Sequence, residues 1–476
     1  MTSADSSANA AMGAASGATA APYRRPGETA DRIRRMLAGY VLAWPWFDGF
    51  SAWALRRLYF PASRLWAAAR LADGSPERFW ETVPMRRRLE HNGRLAAALA
   101  RFDRARARAE ALEAEWQRVF FGPEDSPDNY RLAVEAARLG SRHAYNAARR
   151  FFFFLLDREV PRMRFDPASP AEVAAVYGEA RRELAPFAAP PDAMPTVEVS
   201  RPLPGEAGAD YWLRFKSPSP RLGDTVYARV HEPRGAADAP TVIFGHGICV
   251  EFDHWRGLID EADHLRQAGF RVIRPEAPWH GRRTPAGYFG GERLIATYPM
   301  GLLDAVLGTL REWSVLAGWS RRTSRGALAF GGTSLGAQMA QLAADRAREW
   351  PQHLRPEGLF LITHCGHMAE AAQHGEMARI VGGAEEAEQK GWTLEEVDRY
   401  AAILDPRREP PFAPERIVTV LGRRDVVTPF TDALPLIDGW KVPEANRFLW
   451  DRGHFSIPMT LIHNSAPVAR FREVMR

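Results

Sequence analysis

The sequence predicts an α/β protein: a largely parallel sheet flanked by helices, carried behind a helical N-terminal region. Three observations lead there. From about residue 196, short apolar runs alternate with helix-length segments, as strand–helix–strand units do. Before that point the chain reads as successive helices and closes in a Pro-rich stretch, APPDAMP, at about 189–195. Within the alternating part, one apolar run passes through Gly332-Thr333-Ser334-Leu335-Gly336 directly into a helical pattern. The resulting domain organisation is 1–22 without structure, 23–195 helical, and 196–476 α/β with an inserted helical cap at about 366–414.

Each element has a local reason. Residues 1–22, MTSADSSANAAMGAASGATAAP, are small, polar and free of aromatics, so disorder is expected. They lack a basic start followed by an apolar core and make a poor secretory signal, which favours a cytoplasmic location. The stretch Tyr40–Phe60 is unusually aromatic; Met85–Phe121 shows a helical stripe through Leu95, Leu99, Phe102, Leu112 and Trp116; Tyr130–Leu156 reads as another helix. A third spans Ala171–Phe187, opened by Pro170. Strands are expected at Tyr211–Phe215, Thr225–Val230, Thr241–Gly245, Arg271–Arg274, Ala327–Phe330, Leu359–Thr363, Ile417–Leu421 and Arg447–Trp450. The insertion carries a capping box at Thr393 and Glu396, so part of it is helical.

Composition narrows the function classes. At 46% hydrophobic and 25% charged the chain is ordinary globular material, which excludes wholesale disorder and fibrous folds. Two cysteines, Cys249 and Cys365, exclude a disulfide framework. No uninterrupted apolar run is long enough for an obvious membrane span. The 21–110 window holds 18 basic and 9 acidic residues, whereas 201–476 balance at 34 each. Neither a dinucleotide fingerprint nor a phosphate loop occurs, and nucleic acid is not an expected partner.

The chemistry centres on Ser334. A G-x-S-x-G between strand and helix lifts the serine hydroxyl clear of the sheet, at a helix N-terminus that favours negative charge. Serine needs a base and an orienting acid. Asp425 follows the apolar run Ile417–Leu421, and His454 follows Arg447–Trp450, at spacings of 91 and 29 residues. Asp432 and Asp451 are rival acids. The loop after Thr241–Gly245, Gly245-His246-Gly247-Ile248, supplies a second oxyanion donor at Ile248, opposite the N–H of Leu335. His246 either touches substrate or braces that loop. His364-Cys365-Gly366-His367 has metal-type residues but no second ligand group, so neither a metal nor a cofactor is expected.

These residues carry a resemblance. The part from about 200 onward resembles the α/β-hydrolase superfamily, above all its dienelactone-hydrolase-like and acetyl-esterase-like branches. In the order of its motifs (HW at 254–255, PWHGRR, GTSLGAQMA, RGHFS) it is similar to the family of α/β-hydrolase domain protein eighteen. The resemblance implies a serine esterase working through an acyl-enzyme on a small-molecule or lipid ester; dienelactone hydrolases proper carry cysteine at the turn. It also implies that His280, Arg282 and Arg283 face the site, where they bind a substrate carboxylate or phosphate or serve the loop alone. An acyltransferase on the same triad, and a non-catalytic membrane- or partner-binding protein on this scaffold, are the competing readings. Residues 40–66, with Trp44, Trp46, Phe47, Trp53, Tyr59, Phe60 and Trp66, either lie on a membrane surface as a peripheral contact or bury against the rest of the chain.

Overall fold

The computed structural model describes residues 43–83, 85, 91–205, 208–249 and 261–476. The disorder expected for 1–22, the start of the aromatic stretch at 40–42 and the HW pair at 254–255 lie outside the described residues.

Among the described residues the alternating part forms one ten-stranded sheet. Its strands are β1 (Glu198–Val199), β2 (Leu203–Gly205), β3 (Gly208–Lys216), β4 (Thr225–Pro233), β5 (Thr241–Gly245), β6 (Arg271–Pro275), β7 (Leu328–Thr333), β8 (Gly358–Ile362), β9 (Ile417–Gly422) and β10 (Arg447–Trp450). The spatial order is β1-β3-β4-β6-β5-β7-β8-β9-β10, with β2 paired to β3. Neighbours from β6 to β10 are parallel, and β1 to β4 join antiparallel. All eight expected runs overlap β3 to β10. The short β1 and β2 lack an alternating pattern and were not legible.

Strands β5 to β9 are buried at every residue, as strands covered on both faces must be. Ile243, Ile273 and Phe330 face one core with the helices Met300–Thr323 and Leu335–Arg346; Val242, Phe244 and Val272 face the other, with Phe270, Ile457 and Phe471. β7 runs three residues beyond its expected end because Gly331 and Gly332, which read as turn residues, are packed strand positions. A Cβ on Gly332 would lie 2.3 Å from the Gly336 carbonyl carbon.

The helical region packs directly onto this sheet. Helices Trp46–Ala54 and Phe60–Ala72 are joined by a π-turn, Leu55–Tyr59; Asn92–Phe121 and Asp128–Ala147 follow. Phe60, Trp66, Phe102, Tyr145 and Phe152 form a core that also takes in Cys249 and Phe289 of the sheet part. Polar contacts stitch the junction: buried Arg64 donates to Gly287 O and to the Glu292 carboxylate, both at 2.9 Å, and Arg70 donates to Pro285 O at 2.9 Å. The expected helix Ala171–Phe187 stops at Tyr177, where Gly178 closes it; Pro186 lies in a separate turn, Ala185–Ala188.

Between β8 and β9 the insertion folds into five short helices, Met368–His374, Glu376–Val381, Ala384–Gln389, Leu394–Asp398 and Ala401–Leu404. Thr393 caps the fourth through Glu396 N at 3.2 Å, while the reciprocal box forms at Ser169 and Glu172 instead. No helix among the described residues is long and apolar enough to cross a membrane.

Candidate active site

β6 lies on one side of β5 and β7 on the other, so the crossovers leave in opposite directions and a crevice opens beyond the carboxyl ends of β5 and β7. Ser334 stands at the end of β7, with its N–H donated to Ile362 O at 2.9 Å. Its φ of 56° and ψ of −121° put a non-glycine residue in the left-handed half of the map, a strained position typical of functional sites. The flanking glycines do not share that conformation; they are needed for approach. A Cβ on Gly336 would lie 2.1 Å from the Gly245 carbonyl carbon, so only glycine lets the new helix begin against the end of β5.

Ser334 Oγ lies 3.0 Å from His454 Nε2, and His454 Nδ1 lies 2.8 Å from Asp425 Oδ2. All three side chains are buried. Asp425 Oδ1 accepts the N–H groups of Val427 and Thr428 at 2.9 Å each, and Oδ2 accepts the Thr428 hydroxyl at 2.9 Å. The same hydroxyl is 3.2 Å from His454 Nδ1. Thr428, not anticipated from the sequence, thus fixes both acid and imidazole. A serine on a strand–turn–helix elbow, followed in chain order by an acid and a histidine at later strand ends, decides the architecture. The chain has an α/β-hydrolase fold.

In this hydrolase fold the rival acids are occupied elsewhere. Asp432 accepts the N–H groups of Gly366 and His367 at 2.8 and 2.9 Å and anchors the start of the cap. Asp451 pairs with Arg424 on the exposed surface at 2.6 Å. Ile248 and Leu335 both line the cavity that holds Ser334. That cavity has a volume of about 770 Å³ and an apolar wall shared between the cap, with Met368, Ala372, Met377, Val381 and Trp392, and residues outside it such as Phe165, Ile248, Leu294, Ile295 and Leu302.

The substrate-contact expectation for four residues needs correction, since none of them lines this cavity. His246 accepts Ala277 N on Nε2 at 3.1 Å and sets Nδ1 against Gly247 O at 2.8 Å, bracing one loop on the next. Burial, reinforced by His280, holds its pKa down at about 3. His280 is spent likewise on Cys249 N at 3.1 Å and Pro278 O at 2.9 Å, and burial lowers it to about 4. Arg282 donates to Glu113 of helix Asn92–Phe121 at 2.7 Å and to Glu276, with its guanidinium over Trp116 and Tyr227. Arg283 is sequestered between Asp224 and Glu312, at 2.8 and 2.6 Å. The loop is a structural joint that holds the helical region to the sheet.

The His364–His367 cluster is dispersed. His364 bonds Thr419 Oγ1 at 2.9 Å in the core, His367 faces Asp405 at 3.1 Å on the surface, and Cys365 lines the cavity as a free thiol pushed well above its ordinary pKa by burial. Among the described residues no group of three or more His, Cys, Asp or Glu could hold a metal ion.

One contributor escaped sequence reading altogether. Asp48, in helix Trp46–Ala54, accepts Phe455 N at 2.6 Å and Ser456 N at 3.2 Å through Oδ1, and the Ser456 hydroxyl at 2.6 Å through Oδ2. No local spacing signals a bond across some 400 residues.

No family model matches the sequence, and no curated protein matches it. Solved structures similar to it include an S-formylglutathione hydrolase from Agrobacterium tumefaciens (14% identity, 58% of this chain and 99% of that one, TM-score 0.40). An acetyl xylan esterase 1 from Thermoanaerobacterium sp. JW/SL YS485 shares 14% identity over 63% of this chain and 96% of its own, with TM-score 0.38. TT1662 from Thermus thermophilus shares 19% over 54% and 95%, with TM-score 0.34. Likeness at this level adds nothing to the sheet order and the elbow, on which the fold rests.

Proposed function

We propose that this protein is a serine hydrolase of carboxylic esters with an apolar acyl group, acting through an acyl-enzyme. The observation that carries the reading is the unbroken relay Ser334–His454–Asp425 opening into an apolar cavity. Ser334 Oγ attacks the ester carbonyl while its proton passes to His454 Nε2. Asp425 keeps Nδ1–H directed at itself and stabilises the imidazolium. The N–H groups of Leu335 and Ile248 receive the oxyanion. Collapse of the tetrahedral adduct transfers the proton from Nε2 to the departing alkoxide and leaves the acyl group on Ser334. Water, deprotonated by His454, then releases the acid and regenerates the serine. The cavity, within the usual range of ~300–1,000 Å³ for ligand sites, favours acyl chains over small polar groups. The test is a panel of p-nitrophenyl esters of rising chain length on wild type and Ser334→Ala, with fluorophosphonate labelling of Ser334. Absence of hydrolysis across the panel together with absence of labelling rejects the reading.

The second part of the proposal is a peripheral contact of helix Trp46–Ala54 with an anionic lipid surface. Phe60 and Trp66 are buried, but Trp44, Trp46, Phe50 and Trp53 are each more than half exposed. The helix runs on into a cleft of about 580 Å³ lined by Arg56, Arg57, Arg158 and Arg162. Exposed aromatics beside clustered arginines match the interfacial pattern, at about 1 kcal/mol per basic residue on an anionic surface. Co-sedimentation of the full chain with phosphatidylserine-containing vesicles at low salt, lost in the triple variant Trp46→Ala, Phe50→Ala, Trp53→Ala, supports it. Equal absence of binding to anionic and neutral vesicles rejects it.

A further inference from the structure

We propose that Asp48 is a positioning residue for His454: helix Trp46–Ala54 holds the loop of the last triad member in register. The inference rests on the triad reading above. His454 occupies a short loop between β10 and the helix Ser456–His463. That helix has no side-chain cap of its own, so its first N–H groups need an outside acceptor. Asp48 supplies it, taking Phe455 N at 2.6 Å and Ser456 N at 3.2 Å. The cap therefore arrives from the opposite end of the sequence.

The same carboxylate reaches the other side of the histidine. Its Oδ2 accepts the Ser456 hydroxyl at 2.6 Å, and that hydroxyl accepts Gly453 N at 3.0 Å. Peptide groups before and after His454 are thus tied to one carboxylate. Gly453 is explained by the same contact, since a Cβ there would lie 2.4 Å from Asp48 Cγ. The glycine preceding the histidine, which reads as a turn residue, is the space into which Asp48 fits. Ring position matters because His454 must meet Ser334 Oγ and Asp425 Oδ2 together, and displacement by ~1 Å in such a relay costs about 10²-fold in rate.

The experiment compares wild type with Asp48→Ala, Asp48→Asn, Ser456→Ala and Ser334→Ala in the full chain. It measures kcat and KM on a soluble p-nitrophenyl ester, the rate of fluorophosphonate labelling, and the thermal midpoint. Asp48→Ala is expected to lower kcat about 10- to 100-fold, with KM within about twofold and labelling slowed in parallel. Asp48→Asn keeps an oxygen acceptor for the two N–H groups and is expected to recover kcat to within about fivefold of wild type. A wild-type kcat in Asp48→Ala, a loss confined to KM, or an Asn variant as impaired as the Ala variant overturns the proposal. If Asp48→Ala does not fold, Ser456→Ala carries the test: it removes only the bridge to Gly453, is expected to lower kcat about tenfold at unchanged KM, and sinks the idea if it runs at the wild-type rate. Ser334→Ala separates the two readings. Activity retained there rejects the hydrolase itself, whereas an inactive Ser334→Ala beside a fully active Asp48→Ala rejects the positioning role alone.

Discussion

Two Gly/His loops of this molecule begin alike and end differently. One follows β6 and carries His280 with Gly281; the other follows β10 and carries His454 after Gly453. Each is held by a carboxylate from the N-terminal helices, Glu113 through Arg282 in the first and Asp48 in the second. In the first loop both ring nitrogens of the histidine are consumed by backbone groups, so the ring is a neutral strut. In the second they meet a carboxylate and a hydroxyl, two groups that respond when the ring gains a proton. Proton transfer needs partners that change with the proton, and neither a fixed amide nor a fixed carbonyl does. The loops differ in role because of what faces the ring, not because of the motif around it.

The largest expected effect tests the second loop. Ser334→Ala and His454→Ala are each expected to lose on the order of 10⁴ or more in kcat/KM, and Asp425→Asn a comparable amount, with far-ultraviolet circular dichroism unchanged. A tenfold loss or less in any of them would erase the distinction between the loops.

The first loop is expected to answer in stability. His280→Gln should lower stability by about 1–3 kcal/mol in urea unfolding, while kcat stays within about tenfold. A variant that is stable but inactive would move His280 into the chemistry. Acid sharpens the same contrast. Burial holds His246 at about 3 and His280 at about 4, both below the ordinary 6.5. The unfolded chain therefore binds more protons than the folded one below about pH 6.5. The stability these rings contribute is full above that pH and lost as pH falls toward 4. Urea midpoints should drop across that window in wild type and drop less in His280→Gln; equal slopes would show that the ring is not held neutral. The smallest effect belongs to Asp451→Asn, expected to keep kcat/KM within about twofold, because its partner Arg424 is a solvent-screened surface cation.

What was legible in the sequence follows from the same physics. Ser334 and Asp425 each stand just past a buried strand, and a buried strand announces itself as an apolar run; His454 follows the half-buried β10, whose short run Phe448-Leu449-Trp450 is enough to mark it. Arg282 and Arg283 misled because a basic loop near a site looks alike whether its charges meet substrate or Glu113, Asp224, Glu276 and Glu312. Those acids are scattered along the chain, and no local pattern pairs them. Asp48 and Thr428 were missed for opposite reasons: one acts across the whole sequence, and the other is a single hydroxyl three residues past the acid. The aromatic stretch divided between core and surface at Tyr59, a boundary that composition does not mark. Its half-buried ring reaches Cys249 O at 3.0 Å.

Part of the cavity wall comes from a different stretch of the chain than the proposed triad. Ala372, Met377, Val381 and Trp392 belong to the insertion, while Ser334, Asp425 and His454 belong to the ends of β7, β9 and β10. Substitutions in the insertion can therefore reshape the cavity without touching those three residues. On the proposed reading, substitutions within 366–414 are expected to change which chain lengths are accepted more than they change the rate on a short ester. For directed evolution the insertion is an editable cassette: a bulky residue in place of Ala372 should exclude long acyl groups while short ones still turn over.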